Sequence, residues 1–356
     1  MKLPTLQFVI KGDLQQRTGG YIYDAHIIRG LEKLGWAVSV HSTSSHSTKK
    51  VQTHTNLEII LDSIKDGQTV ILDGLAMGQH PDELGRHCHR LKLISLLHHP
   101  LSEESGLSPS EKTRLLEVEM KALGTCTGVI TTSQFTAKQL VDMNVAEKIV
   151  RTVIPGTDPV PCAKGPHNNT PPRLLCVASV IPRKGLDILV EALHQIQHLD
   201  WECICAGDLE RSPHYASKIL NSVSERHLNH RILFTGECSS STIAKLYDLS
   251  SIFVLASRYE GYGMVLTEAV VRCLPVISTT GGAIPHTLNG TSAVLVPPGN
   301  ANCLADAIKA ALDSHSDNNH RSGKPKGAQS RFPTWDQTIQ HFEEAIITLV
   351  PDICHP

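Results

Sequence analysis

The segment Ser257–Ala269 reads SRYEGYGMVLTEA; it follows the strand-like apolar run Ile252–Ala256 and leads into an apolar helical pattern. This order places the segment at the carboxyl end of a strand, where open α/β sheets bind their ligands. Gly261 and Gly263 would let the backbone approach a ligand closely. The free N–H groups at the start of the following helix favour a phosphate group. The segment therefore predicts an α/β fold with a ligand site at a sheet edge.

Two carboxylates belong to this segment, Glu260 in the loop and Glu268 about two turns into the helix. With this spacing, they could hold hydroxyl groups of two sugars that are joined by a diphosphate. A glycine-rich turn followed by a solvent-exposed glutamate is the simpler explanation of the same residues. The rest of the chain has to decide between the two.

Short apolar runs alternate with longer amphipathic stretches along the chain, which predicts parallel strands covered by helices on both faces. The first series of strand candidates is Phe8–Ile10, Trp36–His41, Thr69–Asp73, Leu93–Leu97, Gly128–Thr132 and Val150–Ile154. The second series is Leu174–Ala178, Glu202–Ala206, Ile232–Thr235, Ile252–Ala256, Pro275–Ser278 and Val294–Val296. We expect two doubly wound α/β domains that face each other.

The two series are separated by Pro155–Pro172, which reads PGTDPVPCAKGPHNNTPP and is too rich in Pro, Gly and Asn for a regular element. This stretch is the predicted linker. We expect an N-terminal domain over residues 1–165 and a second domain over 166–333. An amphipathic helix over 334–356, beginning near Trp335, is expected to pack back on the first domain.

Composition argues against a nucleic-acid-binding protein, a small disulfide-rich protein and a membrane-spanning protein. The 356 residues are 40% hydrophobic, 19% charged and 4% aromatic with a formal net charge of −2, which disfavours nucleic-acid binding. The ten cysteines include no CxxC pair and lack the density of a disulfide scaffold, so we expect a reducing cytoplasm. Neither a signal peptide nor a membrane-spanning run is apparent, although peripheral membrane contact stays open.

The Ser257–Ala269 segment resembles the EX7E motif of retaining GT-B glycosyltransferases, particularly glycosyltransferase family 4. The likeness extends along nearly the whole chain. Val177–Gly185 is similar to the donor-phosphate segment of that family, which ends in a Lys-Gly pair, and Gly281–Pro285 is similar to its GG-x-P loop. Gly19 and Gly20 resemble its glycine-rich loop in the first domain. The implied fold is GT-B, with two Rossmann-like domains facing across a cleft.

The resemblance implies roles for individual residues. Glu260, Lys184 and His98 would be the catalytic residues, with Glu260 on hydroxyls of the donor sugar. Lys184 would neutralise the departing diphosphate, since a fixed cation is most effective where water is excluded. His98 would hydrogen-bond near the reacting sugar, and Glu268 would bind the nucleotide ribose.

The remaining donor-binding residues implied by the resemblance are Gly261, Tyr262 and Gly263, through backbone N–H groups, with Arg183, Ser179, Gly19 and Gly20. Ser179 departs from the family, which often has an arginine at that position. Arg183 and Arg258 are both open as the source of the missing charge. His286 is a second departure, at a position where the family often has glutamate.

The implied activity is retaining transfer of a hexosyl group from a nucleotide-diphosphate sugar to an acceptor hydroxyl, without a metal or another cofactor. No DxD pair is present, and the triplet His87-Cys88-His89 is not expected to bind a metal. Two alternatives stay open: a nucleotide-sugar epimerase on the same fold, and a nucleotide-sugar-binding subunit without turnover. The acceptor is equally open among lipid-linked, glycan and small-molecule classes.

Overall fold

The computed structural model describes residues 4–43, 56–104, 106–166, 170–316 and 331–354. The chain forms two compact units, one from Met1–Gly156 with Pro333–Pro356 and the other from Thr157–Phe332. Each unit is built around a six-stranded parallel sheet. No helix within the described ranges is long and apolar enough to cross a bilayer, and the cytoplasmic location stays a prediction.

The first unit has the strand order β2-β1-β3-β4-β5-β6. Its strands are β1 (Thr5–Ile10), β2 (Ala37–Ser42), β3 (Thr69–Asp73), β4 (Lys92–Leu97), β5 (Gly128–Thr131) and β6 (Val150–Thr152). The helices between them are α1 (Gly19–Lys33), α2 (Leu57–Ser63), α3 (Gly74–Met77), α4 (Pro81–His87), α5 (Pro109–Leu123) and α6 (Gln134–Asp142). β3 is buried along its whole length, as expected of a central strand between two helical layers.

The second unit has the strand order β12-β11-β10-β7-β8-β9. Its strands are β7 (Arg173–Val177), β8 (Glu202–Ala206), β9 (Ile232–Gly236), β10 (Ile252–Val254), β11 (Val276–Thr279) and β12 (Val294–Val296). Its helices are α7 (Leu186–Gln195), α8 (Pro213–Glu225), α9 (Ser240–Asp248), α10 (Met264–Val271), α11 (Ile284–Thr287) and α12 (Ala301–Ser316). Each of the twelve predicted strands is present, and the prediction of two doubly wound units is confirmed.

The last helix, α13 (Trp335–Leu349), packs on α1 of the first unit. Gly30 makes this contact close, because a Cβ atom there would lie 2.3 Å from Cδ1 of Ile339. The Thr338 hydroxyl donates to the carbonyl of Ile154 at 3.0 Å. These contacts join the C-terminal segment to the unit that contains the N-terminus.

The boundary between the units follows Gly156, near the start of the predicted linker Pro155–Pro172, whereas the predicted boundary followed residue 165. Thr157–Gly165 belongs to the second unit, because its backbone N–H groups donate to the carbonyls of Arg272 at 2.8 Å and of Asp248 at 2.9 Å. Cys162 in this segment forms a disulfide with Cys273, a pairing that sequence analysis did not predict. Proline and glycine marked the irregular backbone correctly, but they gave no sign of these contacts.

Candidate functional site

Glu260 is buried in the loop between β10 and α10, with 5% of its surface exposed. Its Oε1 atom accepts hydrogen bonds from Lys184 Nζ and from Ser257 Oγ, each at 2.6 Å. A guanidinium nitrogen of Arg183 lies 3.5 Å from the other carboxylate oxygen. The carboxylate is therefore surrounded by two cations and a hydroxyl donor.

Burial and charge act in opposite directions on this pair. Burial raises the pKa of Glu260, but the charges of Lys184 and Arg183 outweigh it, and the pKa lies below its ordinary value. Burial lowers the pKa of Lys184, which the Glu260 charge offsets only in part. The two residues that the resemblance assigned to the sugar and to the diphosphate thus form an ion pair with each other.

The position of Lys184 depends on the glycine that follows it. Lys184 ends a short 3-10 turn, and Gly185 then adopts a left-handed backbone conformation with φ of 65° before α7 begins. A Cβ atom at Gly185 would lie 2.1 Å from the carbonyl oxygen of Ala256. Only glycine satisfies both conditions, which explains the Lys-Gly pair physically.

The GG-x-P loop, which follows the neighbouring strand β11, contacts the backbone of Glu260. Glu260 pairs with Gly282 in an isolated parallel bridge, and the Ala283 N–H donates to the Glu260 carbonyl at 2.8 Å. Gly282 has a φ of 61°, and a Cβ atom there would lie 2.4 Å from that carbonyl. His286, the second departure from the family, lies on α11 and is exposed.

α10 begins at Met264 after Gly263, whose φ of 89° ends the glycine-rich loop. Gly261 and Tyr262 are buried, and burial raises the pKa of Tyr262. Glu268 is partly buried on α10, and burial raises its pKa against the opposing charge of Arg272. The two carboxyl groups of the motif therefore have pKa values displaced in opposite directions by their surroundings.

Arg183 and Arg258, the two candidates for the charge that Ser179 lacks, have different partners. Arg258 forms a bidentate ion pair with Asp187, with distances of 3.0 and 2.7 Å, and Tyr215 donates to the same carboxylate at 2.6 Å. Arg183 instead lies beside the Glu260 carboxylate and donates to the Tyr259 carbonyl at 3.1 Å. Ser179 is partly buried in the loop after β7.

His98 belongs to the first unit, directly after β4. Its Nε2 atom lies 3.0 Å from Oδ1 of Asp24 and 3.6 Å from Oδ2 of Asp73. Gly20, in the first turn of α1, leaves room for the ring, because a Cβ atom there would lie 3.1 Å from Cδ2 of His98. Gly19 begins the same helix. The structure thus brings His98 together with Gly20 of the predicted set and with two carboxylates outside it.

Comparison with known proteins finds a family model that matches most of the second unit. Residues 162–326 match the family model described as Glycosyl transferases group 1. That range lies wholly inside the second unit. The second unit is therefore similar to a group 1 glycosyltransferase domain. The match agrees with the predicted enzyme class, glycosyltransferase. Membership of family 4, the EX7E assignment and retention stay predictions.

Individual relatives match parts of the chain. It is 28% identical over 145 residues to alpha-D-kanosaminyltransferase of Streptomyces kanamyceticus, which is 40% of this chain and 36% of that protein. It is 30% identical over 145 residues to the lipopolysaccharide core biosynthesis mannosyltransferase LpsB of Rhizobium meliloti, 39% of this chain and 40% of the relative. The chain therefore spans less than half the length of these curated relatives.

Solved structures match nearly the whole chain. Sucrose-phosphate synthase from Thermosynechococcus elongatus superposes with a TM-score of 0.79 at 20% identity, covering 98% of this chain and 99% of that one. Anabaena HepE in complex with UDP and glucose superposes with a TM-score of 0.74 at 15% identity, covering 96% and 99%. At such identities the likeness shows the fold alone. The predicted GT-B fold with two Rossmann-like units is confirmed.

Two clusters among the described residues bring at least three potential metal ligands together, and one includes His87. Its Nε2 atom lies 3.5 Å from Glu58 and 3.6 Å from Asp62. Its Nδ1 atom, however, accepts hydrogen bonds from Arg90, and Arg86 binds Glu58 with two nitrogens. A neutral imidazole whose Nδ1 accepts carries its proton on Nε2, so Nε2 is not a free metal ligand. The other cluster is that of His98.

Sequence reasoning missed Asp24 and Asp73 beside His98 in the first unit, and Ser257 and Asp187 in the second unit. Asp73 did carry a usable signal, because it is a polar residue at the carboxyl end of a buried predicted strand. Asp24 lies on the buried face of α1, and Asp187 in the first turn of α7. Neither position differs in sequence from an ordinary helical aspartate.

Proposed function

We propose that the chain is a retaining hexosyltransferase that moves a sugar from a nucleotide-diphosphate sugar to an acceptor hydroxyl without a metal. The observation that carries the proposal is the buried Glu260 carboxylate, held by Lys184 and Arg183 at the carboxyl end of the sheet in a unit similar to a group 1 glycosyltransferase domain. A site with paired, preorganised charges suits a reaction in which a diphosphate departs.

Lys184 and Arg183 are the cations that would meet the diphosphate. Both cations lie beside the Glu260 carboxylate, so a bound diphosphate would share them with that carboxylate. Glu260 would then be free to accept hydrogen bonds from hydroxyls of the donor sugar. Arg183 takes the role of the absent family arginine in this proposal, because Arg258 is engaged by Asp187.

The chemical step follows from this arrangement. The acceptor oxygen forms a bond to the anomeric carbon on the face from which the diphosphate leaves, and the bond from that carbon to the phosphate oxygen breaks. The acceptor proton passes to the departing phosphate oxygen, so configuration is retained and no protein nucleophile is needed. Positioning and electrostatic stabilisation supply the rate enhancement.

Support for a nucleotide donor comes from two sides. Glu268 lies on α10 behind the glycine-rich loop, with a partly buried carboxyl group that suits ribose hydroxyls. The fold neighbour HepE was solved with UDP and glucose. We assign the acceptor to the first unit and leave its class open among lipid-linked, glycan and small-molecule acceptors, with peripheral membrane contact equally open.

A thermal-shift screen against UDP-, GDP-, ADP- and dTDP-sugars tests the donor. A ligand at about 100 times its Kd should stabilise the native state by about 2.7 kcal/mol and raise the Tm. Glu268→Ala should remove most of the shift, whereas Glu225→Ala, at an exposed glutamate on α8, should leave it unchanged. Absence of a shift with every nucleotide sugar would contradict the proposal.

Turnover with the donor found in this way tests the mechanism. NMR of the product should show the anomeric configuration of the donor, and EDTA should leave the rate unchanged. An inverted product would refute retention, and loss of activity with EDTA would refute the metal-free mechanism. Release of an epimerised donor without an acceptor would instead identify a nucleotide-sugar epimerase.

A further inference from the structure

A buried cluster lies at the carboxyl ends of interior strands of the first sheet and consists of Asp24, Asp73 and His98. We call it the His98 cluster. His98 follows β4, Asp73 ends β3, and Asp24 lies on α1, the helix that follows β1. These three strands are neighbours in the sheet. Asp24 is 0% exposed and Asp73 3%, whereas the His98 side chain keeps 18% of its surface exposed. The cluster is therefore closed on the carboxylate side and open on the imidazole side.

The hydrogen bonds fix which side of the imidazole faces the carboxylates. Nε2 points inward, 3.0 Å from Asp24 Oδ1. The edge-on contact with the Tyr23 ring, at 5.5 Å between centroids, holds the ring plane. Nδ1 has no hydrogen-bond partner within the described part of the chain. One ring nitrogen is thus held and the other is left for a ligand.

The charges of the cluster favour a proton between these groups. Two buried carboxylates repel each other, and Asp24 Oδ2 has no hydrogen-bond partner in the described structure. Burial, with the charge of Asp24, raises the pKa of Asp73 to about 7. Burial lowers the pKa of His98, but Asp24 and Asp73 more than offset this and raise it above its ordinary value. A protonated imidazole relieves the repulsion.

Among the described residues, the other observed contacts of His98 are with the neutral residues Tyr23, Thr132 and Gly20. Tyr23 donates its hydroxyl to the carbonyl of Val153 at 2.9 Å, and Thr132 donates to the carbonyl of His98 at 3.3 Å. Asp73 accepts the N–H of Leu75 at 2.8 Å through its other oxygen. The charge of His98 therefore depends chiefly on the two aspartates.

We propose that Asp24 is a positioning residue that, with Asp73, holds His98 as an imidazolium whose Nδ1–H points out of the cluster and donates a hydrogen bond to an anionic or developing-anionic oxygen of a bound substrate. Protonation of Nδ1 is required, because Nε2 already donates to Asp24. The use of this hydrogen bond in catalysis rests on the proposed glycosyl transfer. The charge state of His98 does not.

Histidine titration by NMR tests the proposal without any activity. The His98 signal is assigned by its loss in His98→Asn, and its pKa is measured in the wild type and in Asp24→Asn. We expect a wild-type pKa above 6.5 and a fall of at least about one unit in Asp24→Asn, a tenfold change in the protonation constant. Glu104→Gln is the matched control, since Glu104 contacts the neighbouring His99 at 2.7 Å.

Two results would overturn the proposal. One is a wild-type His98 pKa below 6.5, which decides the question even if Asp24→Asn does not fold. The other is stoichiometric binding of Zn²⁺ or Mn²⁺ that shifts or broadens the His98 signal and is lost in Asp24→Asn. The cluster, in which Asp24, Asp73 and His98 offer ligand atoms within 4.8 Å of one another, would then be a metal site.

A kinetic measurement links the cluster to catalysis. With an active donor, Asp24→Asn should lower kcat by about 10- to 100-fold with little change in KM. The alkaline limb of its pH profile should move to lower pH together with the His98 pKa, which loss of fold alone would not cause. If NMR confirms the imidazolium but no donor turns over, the proposed glycosyl transfer fails and the charge assignment of His98 stands.

Discussion

A double-mutant cycle measures the coupling energy of the ion pair at the centre of the proposed donor site. It uses the variants Lys184→Met, Glu260→Gln and the two combined. The two charged atoms are 2.6 Å apart, and the side chains are 17% and 6% exposed. With an effective dielectric constant of about 20, their attraction is about 6 kcal/mol before the cost of removing both ions from water. That cost cancels much of the attraction, so the pair itself is a weak source of stability.

Removing one partner has a different effect, because it leaves a buried charge. We expect each single variant to lower the free energy of unfolding of the second unit by about 3 kcal/mol. Arg183 at 3.5 Å moderates the loss for Lys184→Met. The double variant should lose less than the sum of the two, with a coupling energy of about 2–3 kcal/mol.

Native-state hydrogen exchange of peptides from the second unit reads the stability of that unit alone. Lys245→Met, at an exposed lysine on α9, is the control and should change stability by less than about 0.5 kcal/mol. The folded pKa of Glu260 is lowered, so its stabilising contribution is present above its unfolded pKa of 4.5 and is lost as the pH falls through the folded value. Additive losses within about 0.5 kcal/mol would refute the pairing.

Three further predictions concern stability. Burial raises the pKa of Glu119 to about 8, so the stability of the wild type falls as the pH rises from 4.5 through 8. In urea titrations, Glu119→Gln should be more stable than the wild type by up to about 4 kcal/mol at pH 8 but not at pH 4. Equal pH dependence of the two proteins would contradict this. Arg258→Lys should cost about 1 kcal/mol, because lysine cannot make the bidentate bond to Asp187; an unchanged urea midpoint would count against the pair. The Cys162–Cys273 disulfide closes a sequence separation of 111 residues, so its reduction should destabilise the second unit by about 4 kcal/mol, and Cys162→Ser should remove the effect of reductant. Two further free thiols in the unreduced protein would show that the bond is absent.

The fold was predictable because its signals are local. Apolar runs with β-branched residues, separated by amphipathic stretches, predicted all twelve strands, and β3, β8 and β12 have the predicted limits. The glycines of the Ser257–Ala269 segment likewise predicted a loop between a strand and a helix. Such patterns depend on the neighbours of each residue along the chain, which the sequence contains directly.

The sequence by itself therefore determined two doubly wound units and the strand ends at which polar residues would gather. Only the tertiary structure decided which of these residues meet, because a pairing between distant residues depends on strand order, register and burial. Lys184 meets Glu260 across 76 residues, and His98 meets Asp24 across 74. The same holds for Arg183 and Arg258, which are indistinguishable as cations in the sequence. Burial beside Glu260 places one at the proposed donor site, and Asp187 engages the other.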